Sequence, residues 1–353
     1  MRQINLLGTT IIIACLLSAG ACRQKEPKAT TMTEKKSNAE QPVYKTTGSI
    51  ERLDASLDKL IAPDAKIEIL ADGFDWSEGP LWLPEQKKLL FSDIPPNKIY
   101  EWSESGGLKL YLAPSGYTSE QPRGGEVGSN ALILDKQGRL VLCQHGDRRM
   151  ARMEATLEQP KPNYITLADK YEGKRLNSPN DAVYKSNGDL YFTDPPYGLE
   201  KNADDPAKEL PFQGVFRLAT DGTLHLLTKE LSRPNGLAFS PDEKTFYVAN
   251  SDPDRAIWMA YDVQPNGNIT NGRVFFDATP LAKKEKGLPD GFKINRQGYL
   301  FATGPGGVLV FDKNAKHLGT IRTGEATSNC AFNADESTLY LTADDYIMRV
   351  KLK

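Results

Sequence analysis

Apolar and polar residues alternate along this chain in short runs separated by polar turns. The stretch PNGLAFSPDEKTFYVANS, from Pro234, shows the unit: an alternating run, a turn rich in Asp, Glu and Lys, then a second β-rich run. That pattern predicts a strand, a tight turn and a second strand. The same frame returns as SEGPLWLPEQKKLLFSD from Ser77, SNALILDKQGRLVLCQH from Ser129 and PNDAVYKSNGDLYFTD from Pro179. It returns twice more, as PDGFKINRQGYLFATG from Pro289 and SNCAFNADESTLYLTAD from Ser328.

Each copy carries one carboxylate or carboxamide near its start: Glu78, Asn130, Asn180, Asn235, Asp290 and Asn329, at separations of 52, 50, 55, 55 and 39. A period near fifty with strand content and no regularly intervening helix predicts an all-β fold, a six-bladed β-propeller of four-stranded blades. KIEILADGFDWSEG, from Lys66, matches TLHLLTKELSRPNG, from Thr223, whereas the last copy ends at Lys353 with no such strand after it. The strand at about 66–71 is therefore expected to pair onto the final blade and close the ring, removing an exposed edge. Radial symmetry would then aim the six leading residues at one mouth of the central channel.

Composition sharpens the picture at the ends. The first 22 residues read as an export signal: Arg2, an apolar run from Ile4 to Leu17, then Ser18-Ala19-Gly20-Ala21 before Cys22. They resemble a bacterial lipoprotein signal, which implies lipidation of Cys22, attachment to a membrane and a periplasmic or surface-facing domain. Arg23 after Cys22 resembles lipoproteins sent on to an outer membrane. Residues 23–65 are rich in Lys, Glu, Thr and Ser, and are expected to form a flexible tether with a short helix over 49–61, ahead of a propeller over 66–353. With 44 Lys and Arg against 46 Asp and Glu, the net charge of −2 gives no field that favours nucleic acid as a partner. Outside the signal only Cys143 and Cys330 remain, both in apolar runs, and they are expected to be buried free thiols.

The six leading residues offer oxygen donors and amide groups, with no His or Cys among them. Such a set suits Ca²⁺ first, with Mg²⁺ or Mn²⁺ as alternatives; Zn²⁺ favours nitrogen or sulfur.

At these residues the chain resembles the SMP-30/gluconolactonase/LRE-like family of six-bladed propellers, over roughly 67–353. The resemblance rests on SEGPLW, NSPNDAVYKSNGDLYFTDPPYG, RPNGLAFSPDEKTFYVAN and LPDGFK. It implies a divalent metal held by Glu78, Asn180, Asn235 and Asp290, with Asp290 also serving as general base. Asn130 and Asn329 match the repeat but not that ligand set; Asn130 and Asn180 are expected to face the substrate. His145, in CQHGDRR, resembles a His-Gly-Arg-Arg stretch of gluconolactonase-like members and is expected to orient substrate, while Asp194 and Tyr197 of TDPPYG would shape the pocket wall.

The favoured activity is metal-dependent opening of a sugar lactone. A phosphotriesterase-type hydrolase on the same ring, marked by a more apolar pocket, and a non-enzymatic binding propeller are the alternatives. No Ser-His-Asp set or GxSxG elbow is visible. Substrate specificity is expected from the loops 113–128, 198–213 and 280–288, which the repeat does not constrain.

Overall fold

Each repeat copy builds a separate antiparallel sheet, and six sheets stand around one axis. The structure, a computed structural model, describes Lys28, Ala29 and residues 43–353. In the blade that starts at Pro234 the strands Pro234–Phe239, Thr245–Asp252, Arg255–Val263 and Ile269–Asp277 pair in chain order. Burial falls from hub to rim. The second strand is buried on both faces, whereas the fourth is largely exposed.

The turns between the first two strands hold themselves. Asn295 Oδ1, for instance, accepts from the backbone N–H of Gln297 and Tyr299, with Gly298 at φ +87° supplying the left-handed residue that the turn needs. Between blades, aromatic and aliphatic side chains fill the wedge: Trp258, Phe276 and Phe311 pack ring against ring across one such junction.

The ring closes as the end pattern implies. Ile67–Asp72 pairs antiparallel with Tyr346–Lys351, so the last blade takes its outer strand from the start of the propeller. The innermost strands contact each other in sequence around the hub, with Thr327–Phe332 returning to Ser77–Leu83. Hydroxyl groups stitch this hub. Ser92 Oγ donates to Asn130 O at 2.8 Å, Thr193 Oγ1 to Asn235 O at 2.8 Å, and Ser328 Oγ to Ser77 O at 2.7 Å. Each joins a blade to the next one at the level of a leading residue, so the starts of the blades they link are held in register.

The expected tether is corrected over residues 43–65. Ser49–Arg52 is a fifth strand on the blade that ends with His317–Arg322, and Ala55–Lys59 is a 3-10 helix rather than part of a helix over 49–61. The spacing of Leu57, Leu60 and Ile61 reads as helical, but all three are buried beneath the junction of the last two blades. Arg322 forks onto Glu51, Arg52 bonds Asp58 and two carbonyl groups, and Lys316 pairs with Asp54. Strand pairing and the burial of Leu57, Leu60 and Ile61 order the strap, and the polar pairings hold its edge. The signal segment and Cys22 lie outside the described residues. Among the described residues no helix is long and apolar enough to cross a membrane. Cys143 and Cys330 are buried and free.

Candidate active site

The leading residues meet at one end of the hub. Glu78, Asn130, Asn180, Asn235 and Asp290 line a single cavity of about 500 Å³, together with Trp76, Tyr197 and Arg233. Asn329 lies beneath it, donating from Nδ2 to Glu78 Oε2 at 3.2 Å. His145 is wholly buried behind the cavity wall and does not line it, so the structure places it apart from the substrate space. Tyr197 lines the cavity, whereas Asp194 is buried behind it.

Asp194 has a different task. Its carboxylate accepts from the N–H groups of Asn177 and Ser178 at 2.8 and 2.7 Å, just ahead of Asn180. Asp93 does the same for Asp75 and Trp76 ahead of Glu78, and Asn250 accepts from Arg233 ahead of Asn235. The second polar residue of these copies therefore fixes the loop that delivers the first. Burial raises the Asp93 carboxyl to about 6 and the Asp194 carboxyl to about 7, against the N–H donors that pull each down.

Backbones at the hub approach so closely that a side chain would not fit after some leading residues. A Cβ on Gly236 would lie 2.3 Å from Asp290 O and 2.8 Å from Gly291 Cα. Gly236→Ala must push the Asp290–Gly291 backbone outward, and is expected to lower stability by about 1–3 kcal/mol, the usual range for overpacking. A urea midpoint equal to that of the parent protein would contradict this.

In the copy from Pro179 an acid stands where other copies have a glycine, alanine or cysteine. Asp181 is 2% exposed; one carboxylate oxygen accepts from Ala182 N at 2.8 Å and the other has no partner. This departure from the repeat was the available signal for a third buried carboxylate. Lys293 reaches the same region, donating to Asn329 Oδ1 at 3.2 Å. Two of the expected specificity loops supply lining residues, Glu126 from 113–128 and Ala282, Glu285, Gly287 and Leu288 from 280–288. No repeat or motif in the sequence singles out Glu126 or Glu285.

Acids crowd the cavity, and the nearby charge of Lys293 only partly offsets them. Burial raises Glu78 to about 8, helped by the nearby Asp181 and opposed by the Gly79 N–H. Burial also raises Asp290 well above the usual carboxylate range, and the charges of Glu78, Asp181 and Glu126 add to it. Asp290 Oδ1 and Asn130 Oδ1 are buried with no hydrogen-bond partner. Among the described residues no group of three or more His, Cys, Asp and Glu side chains forms a metal cluster, so any ion here depends on carboxamides as well as acids. The Tyr197 hydroxyl is raised by burial and by Asp290, which keeps it protonated and able to donate.

Fold and site together define a six-bladed propeller with an axial cavity of buried carboxylates and carboxamides. Residues 76–345 match the SMP-30/Gluconolactonase/LRE-like region, and the chain belongs to that family. A gluconolactonase of Zymomonas mobilis is 38% identical over 315 residues, covering 87% of each chain. Among solved structures, a gluconolactonase from Xanthomonas campestris superposes with a TM-score of 0.76 at 32% identity, covering 89% of this chain and 99% of that one. Luciferin-regenerating enzyme, at 17% identity and a TM-score of 0.63, shares the fold, covering 86% of this chain and 95% of its own.

Proposed function

We propose that this chain hydrolyses sugar lactones with the help of a divalent cation, Ca²⁺ first, held by Glu78, Asn180, Asn235 and Asp290. The observation that carries this reading is the meeting of two buried, charge-frustrated carboxylates and two carboxamides in one cavity. The relatives similar to this chain, gluconolactonases at 38% and 32% identity, support the lactone as substrate. The donor set fits a hard cation: oxygen ligands, two of them acidic, with an unpartnered Asp290 oxygen that a positive charge would satisfy.

When bound, such a cation supplies Lewis-acid polarisation of the lactone carbonyl and favours the oxyanion formed on attack. Asp290 takes the proton of the water that adds to the carbonyl carbon. It then returns that proton to the ring oxygen as the acyl C–O bond breaks, leaving a hydroxy acid. Asn130 presents an amide to the substrate, and Tyr197 presents a protonated hydroxyl. Arg233, Glu126 and Glu285 at the rim give sugar hydroxyls charged partners. The lining mixes these charged and amide groups with Trp76, Pro253 and Leu288, and the likeness to gluconolactonases at 38% and 32% identity favours a sugar lactone over an apolar phosphotriester. Export and attachment through Cys22 would put this activity outside the cytoplasm.

The test compares acid release from a panel of sugar lactones with hydrolysis of an aryl phosphotriester by the purified chain. Lactone turnover that is lost in chelator and restored by Ca²⁺ is expected. Turnover of the triester alone, or of neither substrate, would overturn the reading.

A further inference from the structure

His145 is the buried side chain nearest in role to none of the steps above, yet it touches one of the residues assigned to the cation. We propose that Glu126 and His145 form a positioning pair that decides which end of the Asn180 amide faces the cavity. The inference rests on the divalent-cation reading.

The backbone around the pair leaves little room. His145 N donates to Gly128 O at 3.2 Å. On its other side a Cβ added to Gly198 would lie 2.8 Å from both His145 Cβ and His145 O, so the Gly198 backbone packs directly against it. Asn180 is pinned as well: its N–H donates to Thr193 O at 2.9 Å and its carbonyl accepts from Ala131 N at 3.0 Å. With both backbones fixed, the end-for-end choice of the Asn180 amide is the remaining freedom.

That choice is made through the imidazole. His145 Nδ1 stands 3.2 Å from Glu126 Oε2, within ion-pair distance but not aligned as a hydrogen bond, and has no hydrogen-bond partner; Nε2 stands 3.5 Å from Asn180 Nδ2. A carboxylate is only an acceptor, so it favours the tautomer with the proton on Nδ1. In the neutral ring Nε2 then carries a lone pair and accepts. Asn180 must offer it the NH₂ end, which turns Oδ1 toward the cavity, the end a cation needs. The opposite tautomer would draw Oδ1 to the histidine and aim the NH₂ group at the ion. Glu126 itself lies on the rim loop and lines the cavity, so the arrangement joins the rim to a ligand through a buried ring. A histidine that oriented substrate directly would have to line the cavity, and His145 does not.

Calorimetric titration of the full chain with CaCl₂ tests this, with folding followed by circular dichroism and by melting in chelator. His145→Phe keeps a ring but removes the acceptor, and is expected to weaken Ca²⁺ about 10–100-fold, as loss of a partner that orients a ligand does. His145→Gln restores an acceptor and is expected to recover part of that loss. Equal affinity in the parent and H145F would overturn the pair and leave the cation reading standing. So would an equal loss in H145F and H145Q, the mark of a packing role. Should H145F fail to fold, H145Q against the parent decides: a loss of 10-fold or more there would overturn the pair. No Ca²⁺ binding by the parent chain would overturn both.

Discussion

Asp290→Asn is expected to reduce lactone hydrolysis by about 10²–10⁴-fold, the range that a positioned proton-transfer group contributes. The substitution keeps an oxygen donor and the size of the side chain, so part of the cation affinity should survive while kcat collapses. Acid release above the uncatalysed hydrolysis of the lactone measures the rate, and calorimetry measures the affinity. Full activity with the ion still bound would remove Asp290 as the base. Loss of activity that is recovered by excess Ca²⁺ would make Asp290 a ligand and nothing more.

The second large effect is a dependence of stability on pH that appears only when the cation is removed. Glu78 has a folded value of about 8 against an ordinary 4.5, and Asp290 is raised in the same sense. A raised value means that the folded state binds protons more tightly than the unfolded chain does. The resulting stabilisation is complete below about pH 4.5 and is lost as pH climbs toward about 8. In chelator the protein should therefore melt at a lower temperature at pH 8 than at pH 5.5, with stability falling by up to about 1.4 kcal/mol per pH unit for each group titrating in that window. The two acids titrate as a pair, so the curve belongs to both. A divalent cation reverses the penalty by favouring the ionised forms. At a hundred times its Kd it should add about 2.7 kcal/mol, and more of the gain should appear at pH 8 than at pH 5.5. Melting curves that coincide with and without Ca²⁺ at both pH values would contradict the ligand set.

How far the chain can be read without its structure follows from where the constraints lie. The hub was legible because circular symmetry forces the same chemistry into every copy: a small residue or Pro, an oxygen donor, an alternating run. That regularity pointed to Glu78, Asn130, Asn180, Asn235 and Asp290 as neighbours, although 212 positions separate the first from the last. Asn329 matched the repeat but lies below the cavity, bonded to Glu78. The repeat does not distinguish a residue at the mouth from one a step inside the channel.

The outer parts were opaque for the opposite reason. Outer strands such as Ile269–Asp277 are so exposed that no alternation is imposed on them, and Val274 is half exposed on its surface. The strap over 43–65 carries a composition that reads as unstructured because its order comes from partners distant in the chain, the strand His317–Arg322 that Ser49–Arg52 joins and the core that buries Leu57, Leu60 and Ile61, which no local pattern announces. Glu126 and Glu285 sit on loops free of the repeat. His145 was visible as a rare residue, but its burial depends on how closely Gly128 and Gly198 approach it. Asp181 shows a middle case. The repeat alone does not single it out, although it is an acid where the other copies have Gly, Ala or Cys, and its meaning emerges once the neighbouring acids are seen around it.

Ring closure by Ile67–Asp72 also sets a timetable. Ser77, next to Glu78, hangs by its backbone N–H and its hydroxyl on Asp344 O, and by the same hydroxyl on Tyr346 O. Both acceptors follow Asp290 in the chain, so they are translated after Glu78, Asn180, Asn235 and Asp290. Until then the first blade is held from the side of the second, through Ser92 Oγ and Asn130 O, and lacks its bond to the last. A chain stopped short of Asp344 would thus carry Glu78, Asn180, Asn235 and Asp290 without the bond that fastens Ser77, beside the first of them, across the seam of the ring.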